Sequence, residues 1–315
     1  MPFSVSINDK ETFPIITLKD ESSNIEVEIY SFGALLNCFA VTTKSGRKNI
    51  IDGFSSPADA KENITKTFKS AKLSPFVCRM HKGEYTFGNE THKIQKFYLG
   101  EEAIHGLLFN APFSVTDSGK TETEAFIRLI YNYNNSNEGY PFPYSMQVEY
   151  ALHENNTLSI KTVVVNTGDA DMPLSDGWHP YFQFGETVND LQAQFNSNTM
   201  LEFNNHLLPT GNFIAYKKFD TMQPFNDTAL DNCFLLKDHL SPACTIKDEH
   251  NGLQLTINAD ESYPYLQVYT PPHRKSIAIE NLSSAPDSFN NGIGLNIVKP
   301  YEQITFATSY QITLL

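Results

Sequence analysis

The chain has 315 residues, a formal net charge of −13 and 40% hydrophobic residues, enough for a full core. The acidic balance argues against nucleic acid and anionic membrane surfaces as partners, because both require a basic face. No run of about 18 apolar residues offers a transmembrane helix.

From the N-terminus, MPFSVSINDK has neither a basic n-region nor an apolar h-region, so a cytoplasmic location is expected. Strands are expected at 14–19, 25–31 and 35–42. The stretch PADAKENITKTFKSA follows Ser55-Ser56 and reads, within 56–70, as a short polar surface helix or loop, a segment also suited to an interface or a lid. Further strands are expected at 126–132, 144–152 and 157–165. In the second of these Met146, Val148, Tyr150 and Leu152 alternate with Gln147 and Glu149, the period-two signature of a half-buried strand. Strands at 254–258, 264–270, 275–280 and 303–315 complete the pattern. In the last, Ile304, Phe306, Tyr310, Ile312 and Leu314 share a face. Asn, Gly, Pro and Asp clusters separate the strands. The fold class is all-β, a large and mainly antiparallel sandwich, with residues 1–315 as a single domain. Long loops are expected around 98–124 and 168–192, where a site has room.

Four cysteines, Cys38, Cys78, Cys233 and Cys244, include no C-x-x-C pair and no zinc-type spacing, and read as buried reduced thiols. The nine histidines show no H-x-H or H-x-x-x-H spacing, so no metal site is expected. Nucleotide-binding glycine loops and the G-x-S-x-G elbow are absent.

Four segments carry an ionisable residue inside an apolar stretch. PFVCRM holds Arg79, AIHGLL holds His105, SDGWHPYFQF holds His179 and SIAIEN holds Glu280. A lone case of this kind is usually a satisfied core residue. Four in one chain suggest groups that meet one another or a ligand, because an unpaired buried charge is costly.

The order Arg79, His105, His179, Asp231, Glu280 resembles that of the aldose 1-epimerases, or galactose mutarotases. The resemblance rests on CRMHKGEYTFGNETHKI (78–94), IHG (104–106), GWHPYF (177–182), LDNCFLL (230–236) and the stretch from IAIENLSSAPDSFNNG to ITFATSY (277–310), and it spans roughly 10 to 315. The chain departs from the family at several points. Cys78 stands where Asn often precedes the motif Arg, Leu107 and Phe113 stand for a Gly and a Trp, Pro300-Tyr301 stands for Pro-Gly, and Asn281 follows Glu280 in place of Pro.

The resemblance implies a galactose mutarotase-like supersandwich and an isomerase that interconverts the α and β anomers of a free aldohexose. Opening a cyclic hemiacetal needs one group to take the anomeric hydroxyl proton and another to protonate the ring oxygen. A carboxylate and an imidazole on opposite sides of the sugar suffice, with no metal and no cofactor. By resemblance, Glu280 is the general base and His179 the general acid, to be held protonated by a carboxylate such as Glu280 or Asp176, with burial working against it. Arg79, His105 and Asp231 bind sugar hydroxyls. Trp178, Tyr181 and Phe182 either fix the strand in the core or offer a stacking face, and Pro180 stiffens the mount of His179. The expected partner is a small-molecule sugar, with the chain a monomer or homodimer.

Three alternatives remain open from the sequence. One is a hexose-6-phosphate 1-epimerase using Lys72, Lys82 or Arg274. Another is a non-catalytic carbohydrate-binding protein. The third is a glycoside hydrolase using Asp231 and Glu280, favoured if those two lie close together with His179 far away.

Overall fold

The computed structural model describes residues 1–44 and 46–315. Period-two sequence becomes period-two burial. In the paired strands Tyr144–His153 and Thr157–Asn166, Met146 lies opposite Val164, Val148 opposite Thr162, Tyr150 opposite Ile160 and Leu152 opposite Leu158, all buried. Burying one such aliphatic side chain contributes about 1.5–3 kcal/mol before entropy is counted. Thr162 is the polar member of that row.

These strands are part of a nine-stranded antiparallel sheet whose centre is built from Glu124–Tyr133, Tyr144–His153, Thr157–Asn166, Gln303–Leu314 and Leu253–Ala259. Facing it is an eight-stranded antiparallel sheet. Its order runs Pro209–Ala215, Thr199–Phe203, Asp231–Leu235, Tyr265–Tyr269, Ile277–Leu282, Gly177–His179, Ala71–Leu73, with Tyr181–Phe182 also paired to Ile277–Leu282. A continuous apolar core fills the space between the sheets, and the ring pairs Tyr150–Trp178 and Phe182–Tyr310 cross it at 5.9 and 5.5 Å. The N-terminal strands form a five-stranded sheet against one side, from Phe3–Asn8 to Gly46–Asn49.

Of the two readings of 56–70, helix or loop, the structure has the helix, Pro57–Thr67. Ser56 caps it by accepting from the Asp59 amide, and Pro57 opens it. Ala60 and Ile64 bury into a second apolar cluster, and the helix stops at Phe68, whose backbone is left-handed at φ 56°. That stop turns the Phe68 ring toward the site described below.

The stretches expected as long loops are not loops throughout. Tyr98–Leu99 and Glu102–Ile104 join Arg79–Met80 in a three-stranded sheet, and Ser114–Lys120 is the edge of the nine-stranded sheet. Between 168 and 192 lie Met172–Leu174, Gly177–His179 and Tyr181–Phe182. Strands of two or three residues are too short to show a period, so alternation cannot reveal them. The four cysteines are buried and unpaired. No helix among the described residues is long and apolar enough to cross a membrane.

Candidate active site

One face of the eight-stranded sheet carries the site. Its strands place residues in register, so Cys233 lies opposite Gln267 and Gln267 opposite Glu280. Two residues along, Asp231 lies opposite Tyr269 on the same face. The next strand is Gly177–His179, whose odd positions share that face, and it delivers His179 beside Glu280.

Arg79 and His105 arrive from the small three-stranded sheet, where Arg79 pairs with Ile104. His105 has a left-handed backbone at φ 63°, and its amide donates to the Cys78 carbonyl at 2.9 Å. Gly106 follows at φ 74°, with the Ser74 carbonyl where a Cβ would sit at 2.3 Å. Any side chain there would push the His105 turn off its neighbour, which explains the His-Gly pair.

All five residues singled out from the sequence, Arg79, His105, His179, Asp231 and Glu280, line one cleft of about 340 Å³. His179 Nε2 lies 3.4 Å from Glu280 Oε1. The second carboxylate oxygen, Oε2, is 4.0 Å from the Cys78 thiol. The His179 ring stands edge-on to His105 at 4.9 Å and lies nearly parallel to Tyr181 at 5.0 Å. Phe68 packs on the far side of His105 at 4.6 Å.

Burial sets the electrostatics. It pulls the His179 imidazole down to about 4. Burial, reinforced by Asp231 and opposed by Arg79, pushes Glu280 well above the usual carboxylate range. Burial, with the neighbouring His179 and Arg79, also holds His105 well below its ordinary value. Asp231 is raised by burial, while Arg79 and a bond from Gln267 pull the other way.

These directions and contacts bear on three expectations. Burial works against a protonated His179, because desolvation disfavours the charged forms of both the imidazole and the Glu280 carboxyl. Asp176 is not its partner: it lies behind the strand, bound to Lys72 at 2.5 Å and to Tyr263 at 2.6 Å. The imidazole and carboxylate are also neighbours rather than flanking a sugar-sized gap. That suits the chemistry, since the anomeric and ring oxygens are attached to the same carbon.

Of the three aromatic neighbours, Tyr181 faces the site, while Trp178 and Phe182 belong to the core. The cations considered for a phosphate are elsewhere. Lys72 is fully buried, and Arg274 is spent on Asn189 Oδ1 and the carbonyls of Thr228 and Asn226. Lys82 does not line the cleft, whereas Lys66 and Lys69 do, Lys69 paired with Asp52 at 2.6 Å.

Gln267 went unnoticed in the sequence. It is 5% exposed, donates to Asp231 Oδ1 at 2.8 Å, and its Oε1 has no partner among the described residues. A buried acceptor left free in a cleft wall is suited to a ligand hydroxyl. Its signal was available: Gln267 interrupts the apolar run YLQVY just as Glu280 interrupts SIAIEN.

Comparison with known proteins bears on this arrangement. The aldose 1-epimerase family profile matches residues 14–311. The uncharacterized protein YihR of Escherichia coli (strain K12) is 26% identical over 240 residues, covering 72% of this chain and 73% of that protein. An aldose 1-epimerase of Streptococcus thermophilus is 23% identical over 256 residues, covering 74% and 71%. Among solved structures, a galactose mutarotase-like protein from Clostridium acetobutylicum superposes with a TM-score of 0.85 at 19% identity, covering 99% of this chain and 98% of the other. A galactose 1-epimerase from Lactobacillus acidophilus NCFM gives 0.82 at 19% identity, covering 99% of each. At these identities the structural matches establish the galactose mutarotase-like fold.

Proposed function

The chain belongs to the aldose 1-epimerase family of isomerases acting on small-molecule sugars, and on that premise we propose that it interconverts the α and β anomers of a free aldohexose, with Glu280 and His179 as the proton-transfer pair. The observation that carries the reading is the 3.4 Å approach of His179 Nε2 to Glu280 Oε1 in a cleft that also gathers Arg79, His105 and Asp231.

Ring opening starts from the form with Glu280 ionised and His179 protonated. The anomeric hydroxyl gives its proton to Glu280 as C1=O1 forms. The C1–O5 bond breaks, and O5 takes the proton from His179. The aldehyde turns about C1–C2, and closure on the other face returns both protons in the opposite sense. Each turnover therefore uses both protonation states of the pair, so the two must be close in energy. Burial lowers His179 and raises Glu280, which makes the neutral state accessible; Arg79 and bound hydroxyls favour the charged one. Each positioned acid or base contributes about 10²–10⁴ in rate.

Arg79 is suited to bridging two vicinal oxygens, and His105, Asp231 and Gln267 complete the hydroxyl contacts. We read residues 1–315 as one cytoplasmic domain, acting as a monomer or homodimer.

The hydrolase reading loses support because His179 is beside Glu280 rather than remote. The binding-protein reading gives no reason for an acid and a base in contact. Of the cations considered for a 6-phosphate, Lys72 and Arg274 are committed elsewhere and Lys82 does not line the cleft.

The test is polarimetry of freshly dissolved α-D-glucose and α-D-galactose with purified protein. Faster relaxation of either supports the reading. No acceleration across a panel of free hexoses, with acceleration of a hexose 6-phosphate, would replace it by the phosphorylated substrate. Acceleration of neither would leave carbohydrate binding without catalysis.

A further inference from the structure

The buried ion pair of Lys72 and Asp176 lies directly behind His179, and the mechanism above does not use it. We propose that this pair is a positioning device for His179, holding the three-residue strand Gly177–His179 at the distance from Glu280 that proton exchange requires. The proposal rests on the acid–base reading of His179 and Glu280.

The geometry is that of a clamp on the reverse face of one strand. Gly177–His179 pairs with Ala71–Leu73, placing Trp178 opposite Lys72 and His179 opposite Ala71. Side chains alternate, so His179 points to the cleft while Trp178, Lys72 and Asp176 point between the sheets. There Lys72 Nζ contacts Asp176 Oδ1 at 2.5 Å and Thr162 Oγ1 at 3.2 Å, and lies 4.1 Å from the centre of the Trp178 ring. Tyr263 donates to the same Asp176 oxygen at 2.6 Å. Thr162 is part of the opposing nine-stranded sheet, so the network ties the His179 strand across the core.

The backbone fixes the strand's place in the sheet, with the Ser283 amide donating to the Asp176 carbonyl at 2.9 Å, the Ile279 amide to the Pro180 carbonyl at 3.3 Å and the Ser70 amide to the His179 carbonyl at 2.8 Å. Toward Ile277–Leu282 its ladder consists of the single pair Gly177–Leu282, and Pro180 follows with no N–H to donate. The side-chain network adds a restraint that the sheet does not supply, across the core from the reverse face of the strand to Thr162 and Tyr263.

Stability does not account for the pair. Lys72 and Asp176 are both 0% exposed, and burial pulls the ammonium down to about 8. Ion pairs so deeply buried are commonly matched or exceeded in stability by apolar residues of similar volume. What apolar packing does not supply is fixed direction: four polar groups at hydrogen-bond distance define the strand's position more tightly than interchangeable methyl contacts. A displacement of about 1 Å in a proton-transfer pair costs roughly 10²-fold in rate.

The experiment compares wild type with Lys72→Met, Asp176→Leu and the double variant. Each single change leaves an unpaired buried charge and lowers stability, whereas the double variant recovers near wild-type unfolding midpoints. Among folded proteins, the double variant is expected to lose roughly 10- to 100-fold in kcat, with KM within about threefold of wild type.

A second readout needs no activity. In the NMR pH titration of His179, assigned by its loss in His179→Gln, the double variant is expected to titrate closer to the ordinary imidazole value. Emission of Trp178, the chain's single tryptophan, reports whether the strand's packing has changed. A stable double variant with wild-type kcat and an unshifted His179 titration overturns the proposal. Wild type inactive on every sugar, with the His179 titration still shifted in the double variant, overturns the reaction assignment and leaves the clamp standing.

Discussion

His179 Nε2 and Glu280 Oε1 lie 3.4 Å apart, both nearly sealed from solvent, at 6% and 2% side-chain exposure. Two titratable groups this close in a poorly solvated place are coupled, so the charge state of one affects the titration of the other.

Removing either member should therefore abolish most of the rate. His179→Ala and Glu280→Gln are each expected to slow catalysed mutarotation by about 10²–10⁴, measured as relaxation of optical rotation. The double variant should be little worse than either single one, because groups that act as a unit are non-additive. Fully additive losses would mean that the two residues act independently.

The depressed imidazole makes a stability prediction. His179 has a folded value near 4, below its unfolded value. Its contribution is therefore fully present above the unfolded value of about 6.5 and is lost as pH falls toward 4. The loss from this group is at most about 3 kcal/mol. His105, shifted in the same direction, adds to the wild-type loss. Urea unfolding at pH 7, 5.5 and 4.5 should show His179→Gln losing less stability than wild type over this range. Parallel decline in both proteins would show that the ring is not buried in its neutral form.

Glu280 has the opposite sign. Its folded value is raised, so its contribution is present at low pH and lost as pH rises through that raised value. Glu280→Gln should therefore be more stable than wild type in alkaline solution, with the gap closing as the pH is lowered. A constant difference across pH would mean that Glu280 is solvated.

Cys78 is a weak donor 4.0 Å from Glu280 Oε2, at a backbone φ of 49°. Asn tolerates that conformation and donates more strongly. Cys78→Asn is expected to favour the ionised carboxylate and to move the acid limb of the kcat/KM profile down by roughly half to one pH unit. An unmoved limb would mean that residue 78 does not influence the base.

Gln267→Leu removes both the bond to Asp231 and the free acceptor in the cleft. KM is expected to rise about tenfold, the loss of one or two hydrogen bonds, with kcat changed much less. A fall in kcat at constant KM would instead place Gln267 in the proton-transfer machinery.

The residue pattern by itself pointed to the long strands, a short helix or loop within 56–70 and four of the cleft residues, Arg79, His105, His179 and Glu280, while the family resemblance added Asp231. Each of these is local: alternation follows from the pleat, capping from the first helical turn, and a charged residue in an apolar strand is conspicuous wherever the strand packs. Gln267 was equally local and was overlooked for want of a charge. Only the tertiary structure decided the remainder. It showed that Asp176, three residues from His179, points away from it to Lys72, 104 residues distant in sequence. It resolved the short strands at 98–104 and 172–182, which the pairing with distant partners creates and no periodicity announces. It also showed how strongly burial opposes a charge on His179, because a neighbouring carboxylate is visible in a sequence but the exclusion of water is a property of the assembled cleft.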